Sequence, residues 1–282
     1  MDQHIILLLI IAALYAAFLM YYYTRKPNHN RNWTPDQQIL PSISTYGDLV
    51  TIHKVRNATY KSRDDYDVHY YDKTFRTTDL KKLWLIIEPF GPKLPFGLQA
   101  AHVFVSFELT DGSFVSVSVE IRKKKGDMFS VGGAINGILR YYELMYVVAD
   151  EKDVIQLRTN HRKDAVLLYP LELPKETVQN VFKGFTDEIN ALIENPSFFH
   201  TITDNCTTIL VRNLRKNNIS LPKWSMLYLF PAHLDAVFYS HDLIDTELSL
   251  TEAREYFHIT KKAQAVNGSS NFSNHIREPQ NS

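Results

Sequence analysis

The sequence predicts an α+β fold, in which an antiparallel sheet packs against helices. The clearest indication is a β-hairpin at 102–121, where HVFVSFEL and FVSVSVEI alternate on either side of the turn residues TDGS. Amphipathic helices are predicted later in the chain, after the strand-rich middle. Strands that come first and helices that follow, without regular alternation, are typical of the α+β class.

Further strands are predicted from short apolar or alternating segments on both sides of the hairpin. They lie at 49–55, 83–87, 143–149, 154–158 and 165–171. No internal repeat is present in the sequence, and these segments are expected to belong to one globular unit.

Two helices are predicted after the last strand. Pro174 starts the first, Glu176 lies in its first turn as helix starts prefer, and Asn195 and Pro196 end it. Its apolar face is formed by Val178, Val181, Phe182, Phe185, Ile189, Leu192 and Ile193. The second helix begins at Cys206, because Ile209, Leu210 and Leu214 keep helical spacing after it. Three good N-cap residues precede it at 203–205.

Composition excludes several classes of protein. The 282 residues carry 31 basic and 31 acidic side chains, which does not favour a nucleic-acid-binding protein. A single cysteine excludes a disulfide framework and a multi-thiolate zinc site. The sequence contains no His-Glu-x-x-His motif, calcium loop or phosphate loop, so we expect neither a metal nor a cofactor. It does not indicate the oligomeric state.

The first 26 residues are predicted to be a single-pass membrane anchor. Residues 5–23 carry no formal charge and are long enough, at about 1.5 Å per residue, to span a bilayer core. A cleaved signal peptide is the alternative, but the chain starts without the basic residues that such a peptide needs. Arg25, Lys26 and Arg31 follow the span, and the positive-inside rule would keep that side cytoplasmic.

The rest of the chain divides into three parts by composition. Residues 27–41 are polar and are predicted to be a linker, and residues 42–258 are predicted to form one globular domain. Residues 259–282 are rich in Asn, Ser, Gln and charged side chains, and we expect them to be disordered.

Cys206 is a candidate nucleophile because of its place at a helix start. The partial positive charge and free N–H groups there favour a thiolate, so a lowered thiol pKa is expected. A small buried hydrophobe is the alternative interpretation of a lone cysteine. Thiol acyl-transfer chemistry also needs a histidine as base and then acid.

His102 is the histidine that opens an apolar strand, although a histidine there is more often structural. Glu120 on the partner strand is a candidate to orient its imidazole. A three-residue hairpin loop places His102 opposite Glu120, whereas a two-residue loop turns Glu120 to the other face. The alternative interpretation is that Glu120 forms a surface ion pair with Arg122.

Three stretches together resemble the family named for the Lnb N-terminal periplasmic domain of lipoprotein N-acyltransferases. They are AHVFVSFELTDGSFVSVSVEIRKKKGDMFS (101–130), RYYELMYVVADEKDVIQLRTNHRKDAVLLYPLELP (140–174) and FFHTITDNCTTILVRNL (198–214). The resemblance extends over about residues 33–244. It implies a permuted papain-like, or NlpC-like, thiol fold in which the histidine strand precedes the cysteine helix. His102 and Cys206 carry over as the catalytic pair, and the resemblance also supports Glu120 as a catalytic candidate without fixing its role.

The resemblance also implies an activity, a location and partners. The enzyme would move a fatty acyl group from a membrane phospholipid, through a thioester on Cys206, to the amino terminus of a lipoprotein or another amine. Its globular domain would be periplasmic. A thiol hydrolase, such as a peptidase, amidase or lipase, that uses Cys206 and His102 is the first alternative. A binding module without catalysis is the second.

Overall fold

A mixed sheet with helices on both faces forms the domain in the computed structural model, which describes residues 2–127 and 133–279. The strands are β1 Ser42–Tyr46, β2 Leu49–Tyr60, β3 Tyr66–Arg76, β4 Leu80–Phe90, β5 Ala100–Leu109, β6 Phe114–Arg122, β7 Glu143–Ala149 and β8 Leu167–Pro170. Their order is β1-β2-β7-β6-β5-β4-β8, and β3 pairs with β2. The α+β class is confirmed. The sheet is not wholly antiparallel, because β2 meets β7 in a parallel pair at Arg56 and Ala149.

The predicted hairpin is confirmed as β5 and β6. The Leu109 amide donates to the Ser113 carbonyl across a three-residue loop, and Phe104 pairs with Ser118. When this register is extended by two residues, His102 lies opposite Glu120 on the same face of the sheet, as predicted for a three-residue loop. Paired residues end at Phe104 and Ser118, so β6 leaves β5 just where His102 lies.

The helices lie in chain order around this sheet. They are α1 Gln3–Thr24, α2 Gly133–Ile138, α3 Glu151–Gln156, α4 Lys175–Glu194, α5 Cys206–Lys216, α6 Leu234–Tyr239, α7 Leu250–Tyr256, α8 Thr260–Ala265 and α9 Phe272–His275. The predicted helices α4 and α5 are both confirmed.

Alternation along the strands separates two apolar layers. Odd-numbered β5 residues such as Val103 and Val105 join the larger cluster, which α4 and α5 cover. Phe104 joins the smaller cluster with residues of α3, α8 and α9. The side chains of β5 therefore point alternately to the α5 side and to the α3 side of the sheet.

Two predictions about the elements are wrong. Residues 154–158 are not a strand, because α3 runs through Gln156 and continues as a π-helix, Leu157–Arg162. The segment 27–41 is not a free linker, since Trp33, Asp36 and Gln37 are buried against the domain. The Arg122 guanidinium lies 4.4 Å from the centre of the Trp33 ring.

The tail predicted to be disordered is folded over most of its length. It contains α8 and α9, and Phe272 and Ile276 fill the apolar layer beneath the sheet. Arg277 also pairs with the buried Glu151 at 2.6 Å. Residues 280–282 of the predicted tail lie outside the described residues. Burial of a few apolar side chains thus outweighs the polar composition of this segment.

Helix α1 is long and apolar enough to cross a membrane by length and composition. Its 22 residues have a mean hydropathy of 2.5 in the most apolar window, and none of that window is buried against the domain. Met1, part of the predicted anchor, lies outside the described residues.

Candidate functional site

The structure holds Cys206 at the start of α5 through its N-cap. The Asn205 side chain accepts hydrogen bonds from the amides of Thr207 and Thr208, at 2.9 and 2.8 Å. Its amide group donates to the carbonyls of Thr201 and Tyr228. Asn205 therefore ties the helix start to two loops and fixes the direction of the Cys206 side chain.

The thiol of Cys206 lies against strand β5. The backbone amide of Val103 donates a hydrogen bond to it, and the Thr207 hydroxyl lies 3.9 Å from its sulfur. Burial raises the pKa of Cys206 above its ordinary value, although these donors act in the opposite direction. The expected lowering of the thiol pKa is therefore wrong, because desolvation outweighs the effect of the helix start.

The imidazole of His102 belongs to a three-residue chain of hydrogen bonds. Its Nε2 lies 2.7 Å from the Ser118 hydroxyl oxygen. The same hydroxyl donates to Oε1 of Glu120 at 2.9 Å, and the direct distance from Nε2 to that oxygen is 3.7 Å. Ser118 and Glu120 are two residues apart on β6 and so share a face of the sheet.

The direction of these bonds determines the tautomer of the imidazole. A hydroxyl has one proton, and Ser118 gives it to the carboxylate of Glu120. The oxygen of Ser118 must then accept from Nε2–H of His102. The unprotonated nitrogen is Nδ1, which is the one able to accept a proton from a thiol.

Arg158 holds Glu120 from the opposite side of the cluster. Its guanidinium lies 3.3 Å from Oε1 of Glu120 and 2.5 Å from Oε2 of Glu88, and it is nearly fully buried. Glu88 lies directly across from His102 on β4 and also contacts Arg162. The imidazole and Arg158 both contact the Phe104 ring, the former stacked at 5.5 Å and the latter at 4.7 Å.

Burial and this cationic neighbour keep the imidazole neutral. Desolvation, assisted by Arg158, lowers the pKa of His102 to about 4, despite the nearby carboxylates of Glu120 and Glu88. Burial alone would raise the pKa of Glu120, but Arg158 together with the cationic groups around it, Arg56 and Lys123 among them, outweighs burial and holds that pKa well below its usual range. At neutral pH the relay is thus an ionised carboxylate, a hydroxyl and a neutral imidazole.

The thiol and the imidazole approach β5 from its two faces. Cys206 packs against the cluster that contains Val103, whereas His102 stacks on Phe104 of the opposite layer. The contacts of the thiol go to Thr207 and the Val103 amide, and the hydrogen bond of the imidazole goes to Ser118. The structure therefore places the two groups at consecutive residues of one strand end, where β6 no longer pairs, without a hydrogen bond between them.

Sequence reasoning missed Ser118, Arg158 and Glu88 as members of the site. Ser118 could have been found, because a residue two before Glu120 on a strand faces the same way. Arg158 could not have been found in this way, because the sequence predicts a strand at 154–158. Within residues 2–127 and 133–279, no group of three His, Cys, Asp or Glu side chains is arranged to hold a metal ion.

Comparison with known protein families matches one model. The Lnb N-terminal periplasmic domain aligns with residues 66–238, which is more than half of the chain. That range includes His102, Ser118, Glu120, Arg158 and Cys206. No curated protein and no solved structure matches the chain. The chain therefore belongs to the Lnb N-terminal periplasmic domain family, as the resemblance of its sequence indicated.

Proposed function

We propose that this protein is a membrane-anchored cysteine acyltransferase that moves a fatty acyl group from a phospholipid to the amino terminus of a lipoprotein. The observation that carries the proposal is that the Cys206 thiol and a relay-oriented His102 both lie at one end of β5. The chain order, histidine strand before cysteine helix, is the order of a permuted papain-like enzyme. Helix α1 and the family's periplasmic character fit an anchored domain outside the cytoplasm.

In the first half-reaction, the sulfur of Cys206 attacks the carbonyl carbon of an acyl ester. The thiol proton passes to Nδ1 of His102, and the ester C–O bond breaks as the proton moves on to the departing alkoxide. The products are an acyl thioester on Cys206 and a lysophospholipid. Because the thiol and imidazole both start neutral, proton transfer must accompany attack.

In the second half-reaction, an amine attacks the thioester. Its nitrogen forms an amide bond, its surplus proton moves to His102, and the C–S bond breaks to return the thiolate of Cys206, which then regains a proton. The Val103 amide stabilises that thiolate. The relay through Ser118 stabilises the imidazolium that forms in each half, since Glu120 stays ionised.

The relay imposes a geometric requirement on the reaction. Nδ1 must reach the thiol past the edge of β5, at the point where the pairing with β6 ends. We propose that the acyl chain enters this strand end and that the reacting carbonyl lies beside the Val103 amide.

The test uses the full chain in lipid nanodiscs that contain a phospholipid with a labelled acyl chain and a lipopeptide with a free amino terminus. The proposal expects a hydroxylamine-sensitive label on Cys206 and then labelled amide on the lipopeptide. Cys206→Ser and His102→Gln should remove both products, whereas His69→Gln, at an exposed histidine of β3, should retain them.

Other outcomes would reject the proposal in distinct ways. Free fatty acid without acylated amine would show a thiol hydrolase that uses the same pair. A Cys206→Ala protein that retains its cellular function while folded would show a binding module.

A further inference from the structure

Six large apolar side chains project from four loops at one end of the domain, one of which contains the short helix α2. Phe96 is fully exposed and Trp224 is 61% exposed. The others are Leu94, Ile135, Ile202 and Met226. Single exposed apolar residues are common on soluble proteins, so their meaning depends on whether they share a surface.

Backbone and side-chain hydrogen bonds bring the four loops together around the start of α5. The Ala232 amide donates to the Gln99 carbonyl, which joins the Trp224 loop to the Phe96 loop. Asn205 donates to Tyr228, and the Thr201 hydroxyl donates to Ala134 at 2.7 Å. The loops therefore surround the end of the sheet at which β5 starts and β6 ends.

The end of α1 lies at this same end of the domain. The Arg140 guanidinium donates to the Tyr22 carbonyl at 3.2 Å and lies 4.1 Å from the Tyr22 ring centre. On the next residue, Tyr141, the ring is contacted by Lys124 at 3.8 Å and by Arg25 at 5.7 Å. Aromatic rings with basic side chains around them, at the end of an apolar helix, match the interface of an anionic membrane.

We propose that these four loops form a membrane-docking surface, and that its partner is the phospholipid bilayer that α1 enters. Apolar side chains of the loops enter the headgroup region, while Arg25, Lys124 and Arg140 contact anionic lipid headgroups. The surface is continuous with the membrane-spanning helix, which is why a bilayer fits it better than a second copy of the chain. The docking is independent of whether Cys206 transfers acyl groups.

Docking would place the end of β5 that carries His102 at the lipid surface. Ile202 is four residues before Cys206, and Phe96 is six residues before His102. A lipid acyl chain would then reach the site without leaving the membrane for water.

The experiment measures the depth of single spin labels on the full chain. Phe96→Cys, Trp224→Cys or Tyr46→Cys is made in the Cys206→Ser background, and the chain is reconstituted into phosphatidylcholine vesicles with or without phosphatidylglycerol. Tyr46 is the matched control, because it is 86% exposed at the opposite end of the sheet. Backbone bonds from Thr77 to Asp48 and from Thr110 to Asp79 join that end to the hairpin turn.

Labels at Phe96 and Trp224 are expected to collide more often with oxygen than with a water-soluble nickel chelate, and the label at Tyr46 should show the reverse. Phosphatidylglycerol should move the two loop labels deeper. Water-exposed labels at all three positions would overturn the proposal. Loop labels protected from both reagents would indicate a second protein copy and would overturn it as well. Because Cys206 is absent, neither result depends on the proposed acyl transfer.

Discussion

The buried imidazole of His102 should make the stability of the domain depend on pH in a defined window. A histidine in the unfolded chain titrates near 6.5, whereas the pKa of folded His102 is lowered to about 4. The unfolded state therefore binds a proton at higher pH than the folded state does. Stability from this group is complete above about pH 6.5 and is lost as the pH falls toward 4. The loss is about 2 kcal/mol between pH 7 and 5, and about 3 kcal/mol in full.

His102→Gln isolates this contribution, because glutamine offers an amide N–H to Ser118 but does not titrate. Urea unfolding of the full chain in detergent micelles, followed by tryptophan fluorescence at pH 7 and pH 5, gives the free energy of unfolding. The native protein should lose about 2 kcal/mol more than His102→Gln over this interval. His69→Gln, at an exposed histidine, should behave as the native protein does.

An equal pH dependence in the native protein and in His102→Gln would refute the reasoning. It would mean that the imidazole is solvated or already protonated, and therefore that burial beside Arg158 does not set its charge. Proton titration of His102 by carbon-detected NMR, with its resonance identified by absence in His102→Gln, gives the midpoint directly. A midpoint at or above 6.5 would lead to the same rejection.

Three further predictions follow from contacts elsewhere in the fold. Ser118→Ala should lower kcat of acyl transfer roughly 10- to 100-fold with little change in KM, and Ser118→Thr should restore most of it, because only the hydroxyl orients the imidazole. Gly184→Ala should lower the free energy of unfolding by about 1–3 kcal/mol, since the added Cβ would lie 2.4 Å from the side-chain oxygen of Asn213; an unchanged urea midpoint would contradict this. Arg277→Gln should cost about 3–5 kcal/mol because it leaves the carboxylate of Glu151 buried without its partner, and the double variant with Glu151→Gln should recover much of the loss.

The elements that the sequence predicts well are those with a regular residue pattern along the chain. The β5–β6 hairpin and helices α4 and α5 have clear periods of two or 3.6 residues, and their bounds agree closely with the structure. Residues 154–158 have no such period because α3 is buried on several sides, including at charged residues. Asp153 is satisfied by Arg56, which is distant in sequence, and no local pattern shows that pairing.

The residues of the candidate site were also predicted only in part. Cys206 and His102 follow from a helix start, a strand start and a family resemblance, and Glu120 follows from the register of the hairpin. Arg158 enters only because a helix crosses the sheet beneath β5 and β6, which is a tertiary fact. The lowered thiol pKa was expected from local geometry alone, and it failed because desolvation depends on everything packed around Cys206.

The protonated state of Cys206 has a consequence for the chemistry of its surroundings. Oxidants and disulfide-forming catalysts react with thiolates, and the periplasm for which the family is named is rich in both. A half-buried cysteine whose pKa is raised presents little thiolate to them, so it resists conversion to sulfenic acid or to a mixed disulfide. With no second cysteine in the chain to resolve such damage, this inertness protects the one sulfur on which the proposed reaction depends.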